Sequence, residues 1–356
     1  MNSGRTLREL SYEVARQNAA KRDFIAPASA LSFDNDGFFH VGDTSYEVTK
    51  TMHQQLAIRL GIPQSYYDRM RSLQWPLLAT NVNTWLTSYG TDTRYMVRTL
   101  DNKARALLSD RYRPLDHYDL LNAVLPQVQH LKCNVVSCEV TDTRLYLKAV
   151  IPSIQAEVSV GDIVQAGFVI SNSEVGWGAV KIEPFVYRLV CKNGAIINDL
   201  AHRKTHVGRK HAHAQVLFDG AEEYYRPETR EADDKAFWLK VRDVIAAHVG
   251  SETFTAIVDR WKRAKEEKIT GDVVKVVEVT AKRYGLADDE RTSVLQHLIK
   301  GGDLSAYGLM NAITRTAEDA ATYDRSTDLE RMGPTILELS PREWTTLAST
   351  KEEEKK

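Results

Sequence analysis

Between residues 93 and 200 the sequence lays down six strand-like runs and a single helical run, and this ratio most constrains the fold. A parallel sheet needs a crossover helix for almost every strand, so one helix among six strands predicts an antiparallel sheet. The runs are Tyr95–Leu100 and Ala104–Ser109 around the turn residues Asp101 and Asn102, the helix Pro114–Leu131 interrupted at Pro126, then Asn134–Val140 and Arg144–Ile151, and finally Phe168–Ile170 and Ala179–Val190. The last two flank the turn formers Asn172, Ser173, Gly176 and Gly178 and predict a hairpin with a connection longer than two residues. Pro184 lacks a ladder donor, which predicts an edge strand or a bulge there.

On either side the patterning changes. Thr6–Lys21 carries Leu7, Leu10 and Val14 at helical spacing, an apolar stripe with no evident partner nearby. Phe38–Val48 has hairpin character, and Thr49 predicts the cap of a helix that Gly61 and Pro63 stop before a second one, Gln64–Leu73. After residue 237 the spacing is helical throughout, with Gly285, Gly301 and Gly302 as punctuation. The expected class is α+β: an antiparallel sheet domain with a central helix, followed by an all-helical C-terminal domain. The divisions fall at 1–92 (mixed α/β with a helical hairpin), 93–218 (the sheet domain with a basic arm), 219–236 (an acidic linker), 237–340 (helical) and 341–356 (a charged tail).

Composition narrows the class further. With 43% hydrophobic and 27% charged residues the chain reads as folded and globular. No apolar stretch is long enough to span a bilayer and the N-terminal run lacks an apolar signal core, so no membrane partner and a cytoplasmic location are expected. Cys133, Cys138 and Cys191 are odd in number and show no CxxC spacing, which predicts small buried residues rather than disulfides or metal ligands. Nucleotide-loop, zincin and nucleophile-elbow motifs are missing, so neither a cofactor nor an enzyme of those classes is expected.

Charge is what remains informative. The net charge of −1 excludes a protein that coats nucleic acid with its whole surface, yet Arg188–His213 holds Arg188, Lys192, Arg203, Lys204, Arg209 and Lys210 against Asp199 alone. Lys181 lies just upstream, Arg111 and Arg113 belong to the polar run SDRYRPLDHYD at the entry to the central helix, and Trp177 offers a stacking face for an unpaired base; together these ten residues are the candidate DNA-binding set. The stretch 219–234 is correspondingly acidic. His202, His206, His211 and His213 are geometrically conceivable zinc ligands but lack thiolate or carboxylate support, so no metal is assigned. Asp116 and His117 open the central helix, where capping or phosphate contact suits them better than acid–base chemistry. The helices Asp288–Ile299 and Asp303–Ala321 have too few cations for a recognition helix and read as packing elements.

Three runs, ARALLSDRYRPLDHYDLL from Ala104, QAGFVISNSEVGWGAVKIEPFVYRLVCKNGAI from Gln165 and GLMNAITRTAED from Gly308, closely resemble a phage/plasmid-like protein family of unknown function. The core arrangement is also similar to single-strand annealing recombination proteins. The resemblance implies a mobile-element setting, and with the basic arm it leads to the expectation of a non-enzymatic protein that binds or anneals single-stranded DNA in recombination or replication. Annealing further implies a ring or filament, which an exposed sheet edge or the N-terminal helix face would join. The alternatives are a host-protein-binding counter-defence protein and a metal-dependent nuclease built on the histidine cluster.

Overall fold

The computed structural model describes Asn2, residues 4–112, 114–178, 180–197 and 251–350, and nine positions between 228 and 245. Two sheets carry the architecture. The first has six strands, β1 (Arg22–Pro27), β2 (Leu31–Phe33), β3 (Phe39–Val41), β4 (Thr44–Val48), β5 (Arg94–Leu100) and β6 (Lys103–Ser109), in the order β1-β5-β6-β4-β3-β2. Its pairs are antiparallel except β4 with β6, which run parallel. The second has five antiparallel strands, β7 (Asn134–Val140), β8 (Leu145–Glu157), β9 (Ile163–Asn172), β10 (Lys181–Arg188) and β11 (Asn193–Ile196), in the order β11-β10-β9-β8-β7.

Local chemistry sets the ends of these elements. Asp101 and Asn102 both take positive φ, 51° and 60°, as a two-residue hairpin turn between β5 and β6 requires. Helix α1 (Leu7–Ala20) begins with a reciprocal cap in which Thr6 accepts from the Glu9 amide and the Glu9 carboxylate accepts from the Thr6 amide. Thr49 caps α2 (Lys50–Arg59) as expected, and α3 (Gln64–Leu73) and α4 (Trp75–Ser88) follow. These three helices cover one face of the first sheet, burying Met52, Leu56, Tyr67, Leu78 and Val82 against Phe33, Phe39, Val97 and Leu107.

The second sheet is covered on both faces. On one side lie α1 and α5 (His117–His130), with Leu10, Val14, Leu120 and Val124 against Leu147, Ala149, Phe168 and Ile170. The C-terminal helices are α6 (Ser251–Glu266), α7 (Val273–Tyr284), α8 (Asp288–Gly301), α9 (Ala306–Thr316), α10 (Tyr323–Thr335) and α11 (Pro341–Ala348), and on the other face α10 sets Tyr323, Glu330 and Arg331 against Tyr146, Lys148 and Glu183. The core of these helices, built on Trp261, Val277, Leu298, Leu309 and Ile313, meets Val164, Ala166, Val186 and Ala195, further along the face that carries Phe168 and Ile170. Burial on both faces explains why Leu145–Ile151 reads as a continuous apolar run rather than an alternating one. Helix α9 is buried on nearly every side, so it packs at the centre of the bundle and presents no recognition face.

Three expectations are corrected. First, β5 and β6 were grouped by sequence with the strands after residue 133, but they pair with β1 and β4 in the first sheet. Second, the α1 stripe is not unpartnered: it packs on α5 and β7, while Arg5 donates its amide to the Cys138 carbonyl and so covers part of the β7 edge. Third, β10 is interior. Pro184 is tolerated because its carbonyl, which accepts from Ile197, points past the last residue of β11, so the missing N–H falls where no ladder bond is made. Among the described residues, no helix is long and apolar enough to cross a membrane.

Candidate nucleic-acid interface

The face of the first sheet away from α2–α4 is polar at its centre. Arg98 is fully buried there and binds Asp23 through two nitrogens at 3.0 and 2.9 Å, Asp116 at 2.7 Å and the Glu174 carbonyl at 2.9 Å. Opposite it β6 contains a bulge. Arg98 faces Ala106 and Thr99 faces Ala104, so Arg105 is the extra residue, and its guanidinium reaches the Glu174 carboxylate at 2.6 Å. The other Glu174 oxygen accepts from the His117 amide at 2.7 Å. Asp116 was expected to cap α5. Its side chain caps nothing, because Arg98 and Lys21 hold the carboxylate more strongly than a backbone N–H would.

Titration follows from these contacts. Burial alone would raise the Glu174 carboxyl, but His117, Arg105, the His117 amide and Arg98 together bring it down to about 2. Burial opposes the charge on Arg98 as well, and the Asp23 and Asp116 carboxylates outweigh it. His117 goes the other way: burial, only partly offset by Glu174, lowers it to about 4, and Asn172 Nδ2 donates to its Nδ1 at 3.0 Å, which fixes a neutral ring. His53 is likewise lowered to about 4 by burial and shares a hydrogen bond between its Nδ1 and the Tyr67 hydroxyl at 2.9 Å. Neither buried residue is placed for surface acid–base chemistry.

A pH dependence follows. An unfolded histidine titrates near 6.5, so between that value and about 4 the unfolded chain binds protons that the folded chain refuses. The stability from His53 and His117 is complete above pH 6.5 and is lost as pH falls to 4, with an upper limit of the order of 3 kcal/mol each. Urea melts between pH 7.5 and 4.5 measure it. The wild type loses stability across this window and His53→Gln and His117→Gln each flatten the slope; a wild-type curve flat across the window contradicts the assignment.

This buried network holds a loop. Residues 171–175 are buried, and the chain emerges at 176–178 with Trp177 37% exposed. Ser173 donates to the Thr143 carbonyl at 2.8 Å, Tyr112 to the Ser173 carbonyl at 3.3 Å, and Arg144 to the Trp177 carbonyl at 2.7 Å. Gly176 has φ +80°, and a side chain there would meet Leu108 at 2.6 Å, so only glycine brings the loop this close to β6. Three loops therefore converge at one end of the second sheet, carrying Trp177, the exposed Arg111, the half-buried Lys181 and Arg144.

The ten candidate residues are divided by this geometry. Arg111, Trp177 and Lys181 belong to the converging loops and the start of β10. Arg188 and Lys192 lie at the far end of β10, seven residues and about 23 Å from Lys181. There Arg188 is bound through two nitrogens to Asp162, at 2.5 and 2.9 Å, and Lys192 is exposed on a turn with φ +52°. Arg113, Arg203, Lys204, Arg209 and Lys210 lie outside the described residues, as do Asp199 and the histidines at 202, 206, 211 and 213. Among the described residues, no group of three or more His, Cys, Asp or Glu is placed to hold a metal ion. Cys133 and Cys138 are free, and burial raises both thiols to about 11.

The loops that build this end come from within residues 106–336, which match a domain of unknown function, DUF932. The chain belongs to the DUF932 family. No curated protein and no solved structure matches it. Two of the runs singled out in the sequence, ARALLSDRYRPLDHYDLL and SNSEVG, meet in the DUF932 domain and its β6 approach through Arg105–Glu174 and His117–Glu174. Sequence reasoning missed Arg144, whose signal is faint, and the buried pair Lys148–Glu330, whose signal was plain: a lysine in the otherwise apolar run LYLKAVI.

Proposed function

We propose that this DUF932 protein binds single-stranded DNA without catalysis, as an accessory of recombination or replication, and that the converging loops around Trp177 are its contact face. The observation that carries the reading is an exposed indole on a loop whose base is locked by buried ion pairs, with Arg111, Arg144 and Lys181 on the loops beside it. A rigidly presented aromatic surrounded by cations suits unpaired bases, which stack on any π-face while the backbone is neutralised. Arg188 contributes less to such a face because Asp162 offsets its charge.

The test is oligonucleotide binding at several salt concentrations. Trp177→Ala weakens binding by roughly 5- to 150-fold, the worth of one stacked base. Arg111→Glu and Lys181→Glu each flatten the logarithmic salt dependence by about 0.7. Undiminished binding by the triple variant excludes this face. Light scattering with and without single-stranded DNA reads the assembly; a monomer in both conditions removes annealing by a ring or filament and leaves simple binding.

A further inference from the structure

Residues 72–91 carry no charge, the longest such run in a chain that is 27% charged. They contain α4, and among the described residues it is the only α-helix without Asp, Glu, Lys, Arg or His. Burial does not explain this. Helix α9, enclosed on nearly every side, still keeps Arg315, whereas α4 leaves Leu77 44% and Trp85 47% exposed and the adjoining Tyr89 36% exposed. Depletion of charge around exposed aromatic side chains distinguishes a protein interface from ordinary surface.

Packing determines which side of α4 is free. Leu78, Ala79, Val82 and Leu86 are buried in the core of the first sheet. Leu77, Asn81, Thr84 and Ser88, at three- and four-residue spacing, therefore form a stripe on the other side, with Trp85 at its flank. The donors of this surface already have partners within the helix. Thr80 donates to the Pro76 carbonyl at 2.8 Å, Asn81 Nδ2 to the Leu77 carbonyl at 2.9 Å, Thr84 to the Thr80 carbonyl at 2.7 Å and Ser88 to the Trp85 carbonyl at 2.7 Å. A hydroxyl or amide that already donates inward loses little when water leaves, so this face is desolvated at small cost.

A surface without charge gives a charged partner such as nucleic acid nothing to pair with, and its complement is a surface of its own kind. The spacing supplies one, because Leu77 and Trp85 lie four residues to either side of Asn81. We propose that α4 is the two-fold contact of a homodimer, in which antiparallel copies of the helix cross at Asn81 and set Leu77 of each against Trp85 of the other. The two Asn81 side chains meet on the axis, where each has one N–H and its Oδ1 left to exchange. The small side chains Thr84 and Ser88 permit close approach of the helices, about 8 Å between axes. Fourteen residues make α4 about 21 Å long. With Leu73 and Tyr89 exposed just beyond its ends, it presents roughly 500 Å² per copy, the low end for a specific contact, which sets dissociation in the micromolar range. The contact uses none of the residues around Trp177 and is independent of the nucleic-acid reading.

Sedimentation velocity of the full chain, without DNA, tests this. The wild type passes from monomer to dimer between roughly 1 and 200 µM. Thr84 is exposed and its hydroxyl bonds within the helix, so Thr84→Lys leaves the fold intact, as its melting temperature shows, and puts a charge in the middle of the stripe. It weakens the dimer at least about tenfold. Asn81→Cys forms a disulfide between copies under mild copper-catalysed oxidation, whereas Thr292→Cys, exposed on α8, crosslinks no more than wild type. A wild type that stays monomeric at the highest concentration overturns the proposal. So does a folded Thr84→Lys variant that dimerises as tightly as wild type, or an Asn81→Cys variant that crosslinks no faster than Thr292→Cys.

Discussion

Lys148→Met destabilises the protein by about 3–5 kcal/mol, and the double variant Lys148→Met/Glu330→Leu recovers most of the loss. Both side chains are fully buried, with Lys148 Nζ 2.5 Å from Glu330 Oε2 and 4.7 Å from the centre of the Tyr323 ring. Among the described residues the second Glu330 oxygen and Thr327 Oγ1 have no partner, so the carboxylate depends on the lysine. Removing the lysine strands a charge in a low-dielectric core, whereas removing both charges takes away the desolvation cost together with the attraction. Urea denaturation of the two single variants and the double variant measures this. A double variant no more stable than Lys148→Met contradicts it.

Arg98→Met has a comparable effect, about 3–5 kcal/mol, and here arginine cannot be replaced by another cation. One planar guanidinium meets Asp23, Asp116 and the Glu174 carbonyl at once. Lysine has a single nitrogen to place among these acceptors, so Arg98→Lys recovers less than half of the loss. Because the same bonds hold the loop that carries Trp177, the proposed binding of single-stranded DNA is expected to weaken with stability in both variants, measured where each remains folded. An Arg98→Lys variant as stable as wild type contradicts the assignment.

Elements set by short-range chemistry were legible in the sequence. The Asp101–Asn102 turn, the Thr49 cap and the β9–β10 hairpin each depend on residues within a few positions of one another. Partner choice was not legible. A period of two says which side chains share a face, but nothing local told β6 to lie beside β4 rather than beside the strands after residue 133. The Arg105 bulge and the Lys148–Glu330 pair have the same cause: each acquires meaning only from a partner 69 or 182 residues away. Of the candidate face, Trp177, Lys181 and Arg111 were read from residue type, while the buried supports that present them were hidden by their distance along the chain.

The N-terminal segment belongs to both halves of the molecule, since α1 packs on α5 and β7 while β1, next in the chain, pairs with β5. A ribosome delivers α1 about a hundred residues before its docking surface; Arg5 meets its partner strand only when Val140 has emerged. Until then α1 exposes an apolar stripe, and closure of this loop is a late, entropically slow step. Chains halted before β7 thus carry an open hydrophobic face. Docking of α1 therefore ties the folding of this chain to contacts made across more than a hundred residues.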